Sequence, residues 1–244
     1  SYFGGSGDET VEALSLTRNG DLLLGLSTNS PGSPASAEAW LLAPANNRCP
    51  HSKLGAPRDG YVARLRAADA FPLLGTYLAL DCPQRLFAVA EDRLGRILVG
   101  VGTPVLPLVA RRVLWPEVPC SPAATGAAGE PLWAALLRLP PSFGAPDFAT
   151  FLPRLVSNRP SPRPLTIDAF NHPVWFGTAC AGAPVTADSL AAPGDGAALL
   201  VSVDIDATPG PVPQLRHLDP IAAPGRLVTF DGRNLLRGPA FNLG

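Results

Sequence analysis

Residues 59–103, DGYVARLRAADAFPLLGTYLALDCPQRLFAVAEDRLGRILVGVGT, decide the predicted fold. Four short runs rich in Val, Ile, Leu and Tyr lie within this stretch, at 61–65, 73–80, 86–90 and 96–101. Turn or break residues separate the runs, and no run keeps a helical i, i+3, i+4, i+7 spacing. The stretch therefore predicts four antiparallel strands in one sheet. Since a single sheet buries one face at best, neighbouring sheets are expected.

The same pattern recurs along the chain at long period. An aromatic residue or His of the second strand recurs at Tyr2, Tyr77, Phe151 and His217. A Gly of the fourth strand recurs in the same register, at Gly25, Gly100, Gly177 and Gly238, and in both series the last interval is the shortest. Repeated four-stranded meanders predict an all-β propeller. A β-sandwich with accidental periodicity is the alternative.

The predicted organisation is one domain over 1–244, with blades at about 1–30, 59–103, 132–178 and 197–238. The first blade lacks its first strand, which leaves an edge open to pairing. Residues before Ser1, the tail after Gly238 or another protein could cover that edge. We expect a fragment of a longer chain or a subunit of a larger assembly.

Two long insertions, 31–58 and 104–131, each carry a Trp followed by a Cys. They therefore look like copies of one decoration, and a Trp and a Cys in each favour packed loops. Trp40 and Trp115 are candidate contact residues for a protein partner, and burial against their own blades is the alternative.

The four cysteines, Cys49, Cys82, Cys120 and Cys180, have no zinc or haem spacing. An even number of loop cysteines favours disulfides in an oxidising compartment, and four unrelated thiols are the alternative. Because Cys49 and Cys120 occupy equivalent insertions, we prefer the pairs Cys49–Cys82 and Cys120–Cys180. All three connectivities remain open.

Charge and hydropathy exclude two classes of partner. The net charge of −1 offers no basic footprint for nucleic acid. No apolar run reaches the length of roughly 18 residues that suggests a membrane span.

The segments YFGGSGDE (2–9), NGDLLLGLST (19–28), DGYVARL (59–65) and AVAEDRLGRILVG (88–100) resemble the bacterial SBBP β-propeller repeat. The resemblance implies a propeller in an exported or cell-surface bacterial protein, hence an extracytoplasmic location, and no shared catalytic residues. The chain departs from the pattern where Ala79-Leu80 replace Gly-Gly. It also departs where His172-Pro173 stand in place of Gly-Asn.

No constellation in the sequence names a reaction. His51, His172 and His217 belong to different repeats, and GGSG at 4–7 has no helix after it to cradle a phosphate. The acidic pairs Asp8-Glu9, Glu91-Asp92 and Asp204/Asp206 are too sparse for a calcium loop and are expected to be solvated turn charges. We predict no catalytic, cofactor-binding or metal-binding residues.

Two functional classes follow. The first is a non-catalytic exported propeller that acts as a structural or protein-interaction scaffold in a larger assembly. The alternative is a carbohydrate-binding or hydrolytic propeller with its site at the central channel. That site would require polar residues converging from equivalent loops of several blades, and no such reinforced position recurs.

Overall fold

A computed structural model describes residues 3–44, 59–78, 84–103, 133–155, 165–168, 171–178, 198–203, 205–206 and 215–221. These residues form strands, turns and loops without any helix. The strands are β1 (Glu9–Leu16), β2 (Leu22–Thr28), β3 (Asp59–Leu65), β4 (Pro72–Tyr77), β5 (Arg85–Glu91), β6 (Ile97–Thr103), β7 (Trp133–Leu139), β8 (Phe148–Leu155), β9 (Leu165–Ile167), β10 (Pro173–Thr178), β11 (Ala198–Val203) and β12 (Leu215–Ile221).

The strands form three antiparallel sheets of four, each a meander in chain order. We call them the first sheet (β1–β4), the second sheet (β5–β8) and the third sheet (β9–β12). The expectation of an all-β chain with four-stranded antiparallel sheets is confirmed for the described residues.

The sheets group the strands differently from the predicted blades. Residues 59–103 were expected to form one sheet, but β3 and β4 belong to the first sheet and β5 and β6 to the second. Each sheet thus combines strands three and four of one sequence repeat with strands one and two of the next. The long insertions consequently lie within sheets, and each connects a second strand to a third.

The covered edge of β4 explains this grouping. Residues of the first insertion run beside β4, where Ser36 donates its N–H to the Gly75 carbonyl at 2.9 Å. Tyr77 donates its N–H to the Leu41 carbonyl at 3.2 Å. Because these groups of β4 are already hydrogen-bonded, β5 cannot pair there and begins the next sheet.

The predicted strand at the beginning of the chain is absent from the described residues. Phe3 to Asp8 adopt no strand conformation, and the first strand begins at Glu9. The Gly-rich composition of 4–7 supplies no side chains that could pack on a sheet face.

The glycine landmarks hold at equivalent places. Gly25 lies in β2 opposite Ala13, and Gly100 lies in β6 opposite Ala88. A β-bulge precedes the partner in both cases, between Val11 and Ala13 and between Leu86 and Ala88. Gly177 lies in β10, whereas Gly238 lies outside the described residues.

The core lies mainly between the first and second sheets. One apolar cluster joins Leu23, Val62 and Leu78 of the first sheet to Leu86, Val89 and several further residues of the second. β1 and β2 contact β5, and β5 in turn contacts β9. The first strands of the three sheets therefore follow one another in space. A smaller cluster on the other face of the first sheet contains Leu26, Tyr61 and Tyr77.

Candidate functional site

Three hairpin turns of the same design join the first and second strands of the three sheets. They are residues 17–21, 92–96 and 168–172, and in each the first residue donates its N–H to the carbonyl of the fifth at 2.8–3.0 Å. The side chain of the first residue, Thr17, Asp92 or Asp168, accepts the N–H of the fifth at 3.0, 2.9 and 2.8 Å. The fourth residue has positive φ, at Gly20, Gly95 and Asn171.

This geometry corrects two sequence expectations. The Asn19-Gly20 pair was expected to form a tight turn with positive φ at both residues, but only Gly20 has positive φ. The hairpin is a three-residue loop ending in a residue with left-handed φ. At His172-Pro173 the hairpin motif seemed lost, yet Asn171 supplies the positive φ one residue earlier. Asn tolerates this conformation better than most residues.

The turns of successive sheets are hydrogen-bonded to one another. Arg18 of the first turn donates its N–H to the Glu91 carboxylate at 2.7 Å and its guanidinium to the Arg93 carbonyl at 2.7 Å. Arg93 of the second turn donates its N–H to the Asn171 side chain at 2.6 Å. The Asn171 amide donates to Asp92 at 3.3 Å. The turns therefore fix the relative position of the sheets at this end.

Two arginines of the second sheet hold a carboxylate that follows β11. Arg96 binds Asp206 through both terminal nitrogens, at 3.1 and 2.7 Å, and Arg138 binds it at 2.6 Å. Arg138 also makes a bidentate pair with Asp147, at 2.8 and 3.0 Å. Asp206 was expected to be a solvated turn charge, but it is ion-paired and its side chain is half exposed. We call Asp92, Arg96, Arg138, Asp147 and Asp206 the turn-end network.

The protonation equilibria reflect this pairing. Hydrogen bonding from Arg96, together with Arg138, lowers the pKa of Asp206 to about 2 against the opposing effect of burial. Burial lowers the pKa of Arg96, but hydrogen bonds and charges from Asp206 and Asp92 outweigh it, so that this pKa is raised overall. At neutral pH Asp206 and Arg96 are therefore both ionised, and each stabilises the charge of the other.

Two buried tyrosines hold the first insertion against the first sheet. The Tyr77 hydroxyl donates to the Ser30 carbonyl at 2.7 Å and accepts the Ser33 N–H at 2.8 Å. The Tyr61 hydroxyl donates to the Pro34 carbonyl. The rings meet edge to face with centroids 5.0 Å apart. Burial raises the pKa of Tyr61, and Tyr77 adds to this effect. We call these contacts the tyrosine clamp.

Of the predicted interaction residues, Trp40 is described. It is partly buried, packs against the core between the first and second sheets, and donates its N–H to the Phe143 carbonyl at 2.8 Å. The exposed side chain of this insertion is instead Leu42, two positions further on. Trp115 and all four cysteines, Cys49, Cys82, Cys120 and Cys180, lie outside the described residues.

The remaining polar motifs are used inside the fold. In the Gly-rich segment, Gly5 donates its N–H to the Glu9 carboxylate at 2.8 Å and Gly7 donates to the Ser30 hydroxyl at 2.6 Å. Glu91 pairs with Arg64, and His172 lies 3.2 Å from Asp168 on its own turn. His51 lies outside the described residues, as does the side chain of His217.

Sequence reasoning missed the turn-end network and the tyrosine clamp. One signal was present: Arg64 and Arg138 occupy equivalent positions of successive repeats, and each binds a carboxylate of the following sheet. The acidic partners recur with no such period, so the pairs could not be assigned from sequence.

The described arrangement is suited to holding sheets and loops in place. Its carboxylates bind arginines or backbone N–H groups, and across the described residues no three His, Cys, Asp or Glu side chains gather as a metal site would need. Nor do these residues include a helix that could cross a bilayer. Comparison of the chain with protein-family models and with curated protein sequences finds no match.

Proposed function

We propose that this protein is a non-catalytic, exported β-propeller-type scaffold that presents its insertions to protein partners in a larger assembly. One observation carries the proposal: the long insertions connect the second to the third strand of every described sheet, and the first of them is fixed by the tyrosine clamp. Loops held by a rigid framework are where binding residues are commonly found.

The packing of the described sheets supports the propeller part of the proposal. The sheets are four-stranded meanders, β1 and β2 contact β5, and β5 contacts β9. A radial arrangement brings the first strands of successive blades together around an axis. The resemblance to SBBP repeats supports an extracytoplasmic location.

The test compares two leucines of similar exposure. Leu42 on the first insertion is 60% exposed and Leu94 in the second turn is 65% exposed. Each is replaced by Asp in the tagged native protein, and both variants are checked for an unchanged melting temperature. Proteins that co-purify after chemical cross-linking are then quantified. We expect Leu42→Asp to reduce the recovered partner at least tenfold and Leu94→Asp to leave it unchanged.

A stable monomer without a cross-linked partner would contradict the scaffold function. Equal losses in the two variants would contradict the role of the insertion.

The alternative is a carbohydrate-binding or hydrolytic propeller with a site at the central channel. A screen of soluble glycans and chromogenic glycosides separates the two proposals. Saturable binding or turnover that survives Leu42→Asp would favour the alternative.

A further inference from the structure

β1 presents an apolar surface to solvent. Val11, Leu14 and Leu16 are 61%, 63% and 67% exposed. They lie opposite Leu26, Leu24 and Leu22 of β2, so their side chains share one face of the first sheet. The β3–β4 half of this face is covered, because Phe3 and Leu41 pack there against the Tyr61 and Tyr77 cluster. The surface left open is two strands wide.

The second sheet shows what the repeat does with these positions. Leu86 and Val89 occupy in β5 the register positions that Val11 and Leu14 occupy in β1. They are 0% and 4% exposed, because the first sheet packs Leu23 and Val62 against them. A terminal capping repeat has a polar outer face. The outer face of β1 is apolar instead, which is typical of a surface that another element covers.

Residues 226–237, RLVTFDGRNLLR, match the element that this surface requires. Asp231 and Asn234 have the spacing of Asp168 and Asn171 in the third turn, and apolar residues precede and follow them. The sequence therefore predicts one more hairpin of the same design, two strands wide. These residues lie outside the described part of the chain.

We propose that residues 226–237 form this hairpin and cover the apolar surface of β1 and β2. The hairpin follows the third sheet in the chain and would continue the series of first strands β1, β5 and β9. A ring of four such units is the smallest of the usual propeller sizes. Because the hairpin is tethered to the surface, its effective concentration is on the order of millimolar, which favours it over a second copy.

Photo-cross-linking of the full chain tests the proposal. Benzoylphenylalanine replaces Leu14 in one variant and Leu94, which is equally exposed but lies in a turn, in the control. We expect irradiation to link position 14 to a peptide within 226–237 in a product of monomer mass, and position 94 to give no such product. A cross-linked dimer would assign the surface to a second copy and overturn the proposal. A link elsewhere in the chain, or no link at position 14, would also overturn it.

Hydrogen exchange gives a second measurement. Leu14→Asp should raise the amide exchange rates of 226–237 at least tenfold, whereas Leu94→Asp should leave them unchanged. Unchanged rates in both variants would contradict docking. Both readouts are intramolecular, so they are independent of whether a protein partner is found for the first insertion.

Discussion

The first and second sheets place equivalent residues in opposite environments. Leu14 of β1 and Val89 of β5 share one register position of the repeat, yet Leu14 is 63% exposed and Val89 is 4% exposed. The difference arises because the first sheet covers β5, while no described element covers β1 in the same way. Burial at this position is thus a property of the neighbouring sheet and is not determined by the strand itself.

The largest expected effect comes from the buried side of the comparison. Leu86→Ala removes a fully buried side chain between the two sheets, and such changes cost about 2–5 kcal/mol. Leu94→Ala is the control, for which we expect a change within about 0.5 kcal/mol. Urea unfolding measures both free energies. Similar costs in the two variants would show that the sheets do not pack as described.

A second prediction contrasts Gly75 of the first sheet with Ala149, which lies at the equivalent register of the second. A Cβ at Gly75 would overlap the Tyr61 hydroxyl and the Pro34 carbonyl, so the tyrosine clamp leaves room only for glycine. We expect Gly75→Ala to cost about 1–3 kcal/mol and to increase proteolysis of the first insertion. Ala149→Gly should cost no more than about 1 kcal/mol. Unchanged proteolysis in Gly75→Ala would contradict the clamp.

A third prediction concerns the contacts between sheets at the turn end. Breaking a buried ion pair costs about 3–5 kcal/mol, and the half-exposed Asp206 would recover hydration, so we expect about 2 kcal/mol for Arg138→Met. Arg66 pairs with Asp69 on the surface, with both side chains about half exposed. Arg66→Met should therefore cost less than about 1 kcal/mol. Thermal unfolding at low and high salt compares the variants, and equal losses would argue against a buried network.

The smallest effect is the pH dependence of the same network. Because the pKa of Asp206 is about 2 in the folded protein and 3.8 is its reference value, its ion pairs contribute stability above pH 4. This contribution is lost as the pH falls from 4 towards 2. Asp206→Asn should flatten that part of the stability curve by about 0.5 kcal/mol or less, since the carboxylate is half exposed. Identical curves for the two proteins would contradict the assignment.

The candidate site was accessible from sequence only in part. The insertions could be located because their Pro- and Ser-rich composition interrupts the strand pattern, and Trp40 could be singled out within one of them. The side chains that hold the site were not recognised. Tyr77 reaches Ser30 and Arg96 reaches Asp206 across long separations in the chain. Contacts at such separations leave no local pattern.

The sequence by itself determined the strands, the turns and the places of the insertions. These depend on local physics: apolar alternation sets a strand, and Gly20, Gly95 or Asn171 provides the left-handed residue that the turn needs. Only the tertiary structure decided which strands share a sheet and which faces are buried. Antiparallel strands pair with any free edge of suitable register, and the first insertion covers the edge of β4. That coverage divides residues 59–103 between two sheets.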